Sequence, residues 1–132
     1  NFGDENLEML TSKFMDDMIQ YPFTSLPKII KKVHFNDKHP ENKNIKMLNK
    51  KDNKLQIIKN GKWLYVNKDD TYRFLIDKET EKMDDFYEEN KQMLNKINRK
   101  KFEEFQDKLG EEEKEIWNKL RDKLELIFWN AM

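Results

Sequence analysis

Leu7, Leu10, Phe14 and Met18 recur at helical spacing, and Met15 and Ile19 widen the stripe. Residues 4–20 therefore read as an amphipathic helix. Asp4 and Glu5 sit where acids favour a helix start, and Pro22 stops it. Thr24-Ser25-Leu26-Pro27 opens a second, short helix, with Leu26, Ile29, Ile30 and Val33 on one face and Lys28, Lys31 and Lys32 on the other. It ends near Phe35-Asn36. Residues 36–44 contain no aliphatic side chain and read as a loop.

The period then changes. Ile45, Met47 and Leu48 suggest a first strand, Leu55–Ile58 a second and Trp63–Val66 a third, with the hairpin signal Asn60-Gly61 between the last two. Helical spacing returns with Tyr72, Leu75 and Ile76, capped by Asn67 or Asp69, and a new start is expected near Thr80. Met83, Phe86, Tyr87, Leu94 and Ile97 continue the pattern to about Asn98, and Phe102, Phe105 and Leu109 extend it to a break at Gly110. A last helix is expected from 111 to about 130. Its stripe is Ile116, Leu120, Leu124, Ile127 and Phe128, flanked by Trp117 and Trp129, and Glu111-Glu112-Glu113 suit its first turn. The expected fold is α+β: a small three-stranded antiparallel meander packed with N-terminal helices and a long helical C-terminal half. No linker divides the chain, so residues 1–132 are expected to form one domain, with helices plus meander in 1–67 and the helical half in 68–132.

Composition narrows the chemistry. The 132 residues include no cysteine, which removes disulfides and thiolate chemistry from this chain, and only two histidines, His34 and His39. Apolar runs are too short to span a membrane. Nine Phe, four Tyr and three Trp are more aromatics than a disordered chain carries. The abundance of Lys, Asn, Ile, Phe, Met and Tyr points to an AT-rich genome. The chain starts at Asn1, and a longer parent protein is expected, with an upstream region of its own.

Charge is neutral in sum but unevenly spread. Residues 24–68 carry a net +9, and the flanks together carry −9. The basic centre could bind phosphate backbones through Lys28, Lys31, Lys32, Lys50, Lys51, Lys54, Lys59 and Lys62, with Trp63, Tyr65 and Phe35 placed to stack on bases. The segment has no arginine, which disfavours sequence-specific readout. The plainer reading is a solvated lysine surface or pairing with the acidic helices.

From His34 to Asn44 the chain sets out two His, one Asp, one Glu and three Asn in 11 positions. Two readings stand side by side. His34, Asn36, Asp37, His39, Glu41, Asn42 and Asn44 could form a metal site of imidazole and oxygen ligands, or the asparagines could build turns and His34 could bond loop carbonyls in a rigid connector. The segment looks like the HNH nuclease motif, in which His34 would be the general base and Asp37 or His39 a ligand. It follows a helix where that motif follows a strand, and no His occurs after His39.

A wider resemblance rests on Ser25–Asn36, His39-Pro40-Glu41-Asn42, Asn44-Ile45, Asn49–Asp52, Asn60-Gly61-Lys62-Trp63, Leu75-Ile76-Asp77 and Phe2-Gly3. Over about residues 2–90 the chain resembles the C-terminal domain of uncharacterised mimivirus-like giant-virus proteins that often carry an N-terminal zinc finger. The resemblance implies a viral module, acting in the host-cell cytoplasm (the viral factory) or the virion. It implies no catalytic residues, and the zinc-binding residues of the family would lie upstream of Asn1, so no metal or cofactor is expected in this chain.

Function is thus expected to be that of a non-catalytic interaction or assembly module. Its partner would be another protein or a second copy, docking through Ile116, Trp117, Leu120, Leu124, Phe128 and Trp129. The alternative is sequence-nonspecific binding of DNA or RNA by the basic centre, and a metal-dependent nuclease at His34 is the third.

Overall fold

The computed structural model describes residues 1–111 and 114–132. The chain opens with a non-helical segment whose shape is set by side-chain bonds. Asn6 Oδ1 accepts from the Glu8 amide at 2.9 Å, and Gly3 takes φ +100°, open to glycine without strain. Thr11 Oγ1 accepts from the Phe14 amide at 3.2 Å and caps helix α1, Ser12–Gln20. The helix expected from residue 4 thus begins at Ser12, and Leu7 of its predicted stripe is exposed.

Helix α2, Pro22–His34, follows after one residue. Its first residue is proline, whose missing amide costs nothing there. Ser25, expected as a cap, instead donates its hydroxyl to the carbonyls of Met18 (2.7 Å) and Tyr21 (2.6 Å), binding α2 to the end of α1. A 3-10 turn, Pro40–Asn42, leads into the sheet.

The sheet is a meander in the order β1-β2-β3, all antiparallel: β1 Ile45–Lys46, β2 Lys54–Lys59 and β3 Lys62–Asn67. Asn60 (φ 53°) and Gly61 (φ 76°) close the two-residue hairpin, the left-handed pair such a turn requires. Leu48 lies outside β1 and is exposed. One sheet face, carrying Ile45, Leu55, Ile57 and Val66, packs toward the helices. The other carries Lys46, Gln56, Ile58, Trp63 and Tyr65.

Helix α3, Lys68–Asn90, starts directly from β3, with Asn67 Oδ1 accepting from the Asp70 amide at 2.9 Å. It passes Thr80 without a break. The interruption falls later, in the 3-10 turn Lys91–Met93, and Asn95 caps helix α4, Lys96–Gly110, by accepting from the Asn98 amide at 2.8 Å. Helix α5 is Lys114–Asn130. Of the expected acidic first turn, Glu111 follows α4, its amide bonded to Asp107 O (2.9 Å), while Glu112 and Glu113 lie outside the described residues.

Buried apolar side chains from Met9 to Phe128 form one cluster. Phe128 of α5 stacks on Tyr72 of α3 at 5.4 Å and meets Phe35 edge-on at 5.0 Å. Tyr87, Phe102 and Phe105 link α3 to α4, and Phe23 touches Phe105 at 5.2 Å. Among the described residues no helix is long and apolar enough to cross a membrane.

Candidate functional site

The His–Asn segment folds inward. His34, at the end of α2, is 0% exposed. Its Nδ1 lies 3.2 Å from the Asn42 carbonyl oxygen and 3.1 Å from Asn44 Oδ1. Asn44 uses its Nδ2 to donate to Glu5 Oε2 (2.8 Å), so both groups facing Nδ1 are acceptors and Nδ1 carries the proton. Nε2 lies 4.0 Å from Glu5 Oε1 and has no hydrogen-bond partner among the described residues. Asn42 clasps the backbone of Asn6 with both side-chain atoms, at 2.8 and 2.6 Å. Glu5 also accepts from the Gly3 amide at 2.6 Å.

Burial lowers the pKa of His34, and the carboxylate of Glu5 opposes that shift. For Glu5 burial pulls upward, but the bond from Asn44, the proximity of His34, the Gly3 amide and Lys78 outweigh it and hold its pKa below the usual value. Glu79, also fully buried, is raised by desolvation despite two bonds from Lys82 at 2.9 and 3.1 Å.

The other members of the segment disperse. Asp37 pairs with Lys43, His39 Nδ1 faces Glu41 Oε1 at 3.0 Å, and Asn36 Oδ1 accepts from the Lys38 amide at 3.1 Å. His34, Asp37 and His39 do not converge. Among the described residues no three His, Asp or Glu side chains stand close enough to hold a metal. The segment is a latch that holds the N-terminal strand of chain against the sheet.

The C-terminal stripe is likewise used inside the chain. Leu120, Leu124 and Phe128 are buried in the core, and Ile116 and Trp117 pack half-buried against it. Of the six residues expected at an interface, Trp129 alone is exposed, with Lys50 Nζ 4.8 Å over its ring.

The open surface is the outer face of the sheet. Trp63 and Tyr65, two apart on β3, share that face and are 38% and 61% exposed. Lys46 comes from β1, and its Nζ sits 3.9 Å from the Trp63 ring centroid. Lys54 lies in the same row as Gln56 and Ile58, exposed. Beside Trp63 opens a cleft of about 350 Å³ with Phe35 and Phe128 in its wall and Lys43, Lys46 and Asp37 at its polar side.

The lysines of the basic centre do not form one patch. Lys28, Lys31 and Lys32 project from the exposed side of α2, whose contacts are with the other helices, and Lys32 Nζ lies 5.4 Å over Phe14. Lys50 and Lys51 are in the loop between β1 and β2, and Lys59 and Lys62 flank the hairpin turn. Lys68 is buried, donating to Glu125 Oε1 (2.7 Å) and the Lys50 carbonyl (3.0 Å). Lys43 and Lys46 were absent from the expected binding set. The parity of Ile45 and Met47 about Lys46 is the signal that places it beside Trp63.

The chain is thus a helix-rich α+β protein whose His–Asn segment bonds back onto its own chain and whose sheet, among the described residues, is uncovered on one side. No protein-family model matches it, and neither the curated proteins nor the solved structures contain a significant match.

Proposed function

We propose that the chain is a non-catalytic interaction module that binds single-stranded nucleic acid, without sequence preference, on the outer face of its sheet. The supporting observation is the pair Trp63 and Tyr65, exposed side by side on an uncovered face and bordered by Lys43, Lys46 and Lys54. Aromatic rings at this spacing stack successive bases, and lysines track the backbone as point charges. Lys46 now occupies the π-face of Trp63. A base stacking there displaces the ammonium toward a phosphate, so one movement satisfies both partners. Lysine without arginine suits a surface that grips and does not read. The burial of His34 speaks for a reading without catalysis at that residue. The resemblance of residues 2–90 to a giant-virus domain supports a site of action in the infected-cell cytoplasm or the virion.

Fluorescence anisotropy with labelled poly-dT and poly-U tests this. Binding is expected in the micromolar range at low salt, with a log–log salt slope of about −0.7 per phosphate contacted. Trp63→Ala and Tyr65→Ala should each weaken it by about tenfold, one stacked base being worth roughly 1–3 kcal/mol. Lys46→Ala and Lys54→Ala should flatten the salt slope, whereas Lys28→Ala and Lys31→Ala on α2 should change nothing. Absence of binding to both polymers at low salt, or equal loss on substituting the α2 lysines, refutes the proposal.

A further inference from the structure

The geometry points to a second copy of this chain as the partner of strand β3, paired antiparallel about a two-fold axis centred on Leu64. β3 is the edge of the sheet, bonded only to β2. In a two-residue hairpin the residues flanking the turn exchange both backbone bonds, so Lys62, and by alternation Leu64 and Val66, aim their amides and carbonyls at β2. The amide of Lys68 on the Asn53 carbonyl (2.8 Å) continues that alternation. Trp63 and Tyr65 therefore direct theirs outward, and among the described residues no intramolecular backbone hydrogen bond takes them up.

Edges of soluble sheets are ordinarily guarded by proline, a bulge, an inward charge or a covering element. Here Trp63-Leu64-Tyr65-Val66 is an uncharged run with none of these, and Leu64, on the helix-facing side, is 44% exposed. The strand is self-complementary. With Leu64 opposite Leu64 of the second copy, Trp63 faces the other Tyr65 in a bonded pair and Tyr65 faces the other Trp63, making four backbone hydrogen bonds. No like charges stand opposite, since Lys62 faces Val66 of the second copy.

Charge complementarity favours the same register. It lays the hairpin tip of one copy, with Lys59 and Lys62, along the end of β3 in the other, where α3 begins with Asp69 and Asp70. Lys62 projects on the face where α3 lies. Asp69 already binds Arg121 Nε at 2.6 Å, so Asp70 is the residue open to Lys62 of the second copy. The result is a six-stranded sheet whose outer face carries both Trp63–Tyr65 pairs in one ladder. This assembly goes beyond the nucleic-acid reading and is tested without nucleic acid.

Hydrogen exchange by NMR over a protein concentration series reads the pairing directly. The amides of Trp63 and Tyr65 should become protected as concentration rises, in step with the mass from sedimentation. Leu64→Lys should raise the dimer dissociation constant by about tenfold or more, a change of about 1.4 kcal/mol, with unchanged circular dichroism. Lys62→Glu and Asp70→Lys should each weaken the dimer, and the double variant should recover it. A strict monomer up to millimolar protein overturns the inference. So does a dimer in which the Trp63 and Tyr65 amides exchange freely, or one indifferent to Leu64→Lys.

Discussion

His34 is distinctive in sequence and wholly buried in the structure. A buried imidazole with Nδ1–H shared between Asn42 O and Asn44 Oδ1 is committed to one tautomer, and its other nitrogen faces Glu5 at 4.0 Å. Its pKa lies below the ordinary 6.5, so the unfolded chain takes up the proton first. Stability should therefore fall as pH drops below about 6.5 and continue falling toward the lowered folded value. The charged groups acting on this imidazole are Glu5 and Lys82, and Lys78 acts on Glu5. Glu5, lowered, adds a further loss below its ordinary 4.5. Glu79, raised, acts oppositely and gains stability as pH falls through its folded value. Urea midpoints against pH should show a steeper acid loss in Glu79→Gln. In His34→Gln the loss beginning near 6.5 should vanish, at a cost of about 1–3 kcal/mol at neutral pH for the unsatisfied acceptors. An unchanged pH profile in His34→Gln would exclude this account.

At the scale of elements, local signals were readable where local chemistry decides. Asn60-Gly61 specifies the hairpin because both residues tolerate the left-handed φ of the type I′ turn, whose twist matches that of the strands. The alternation of Trp63 and Tyr65 placed them on one face for the same reason of period. The segment before Thr11 departs from the expected helix because its apolar spacing also suits an extended chain, and its partners lie far away: Asn6 meets Asn42, 36 positions on. No window of sequence contains that bond. The break at 91–95 was hidden because Leu94 and Ile97 keep helical spacing across it, while Asn95 acts as a cap. The division of the lysines between α2 and the sheet likewise required the tertiary structure, since charge along a chain does not say which faces adjoin. Two changes test these assignments by thermal melting. Asn95→Ala should cost about 0.5–2 kcal/mol through the lost cap. Gly61→Val should cost about 1–2 kcal/mol by forcing a β-branched residue into left-handed backbone. A melt unmoved by Asn95→Ala would mean that the α3–α4 corner is set by packing alone.

The whole molecule is tied together by a few contacts between distant stretches. Lys68 joins the loop after β1, the start of α3 and the last helix, with its ammonium buried against Glu125, which is 18% exposed at its side chain. Removing one member strands the other charge. Lys68→Met should destabilise by up to about 3–5 kcal/mol, and adding Glu125→Leu should return most of that loss. A double variant no better than the single one would show that the ammonium is held mainly by the Lys50 carbonyl. The neutral total of the sequence also acquires a spatial meaning. Acids of the flanks pair with lysines inside the fold, as Glu125 does with Lys68 and Glu5 with Lys78, whereas Lys54 on the outer sheet face stays exposed.

The same pairing sets a schedule for synthesis. Lys68 and Glu125 are 57 positions apart, so at about 5–20 residues per second their meeting waits roughly 3–11 s after Lys68 is made. During that interval Tyr72 lacks the Phe128 ring that stacks on it, and α2, α3 and α4 lack the last helix they pack against. A nascent chain in that state leaves Tyr72 and Phe35 without the ring that covers them in the fold. The completed last helix is thus the event that closes the core over Tyr72 and Phe35.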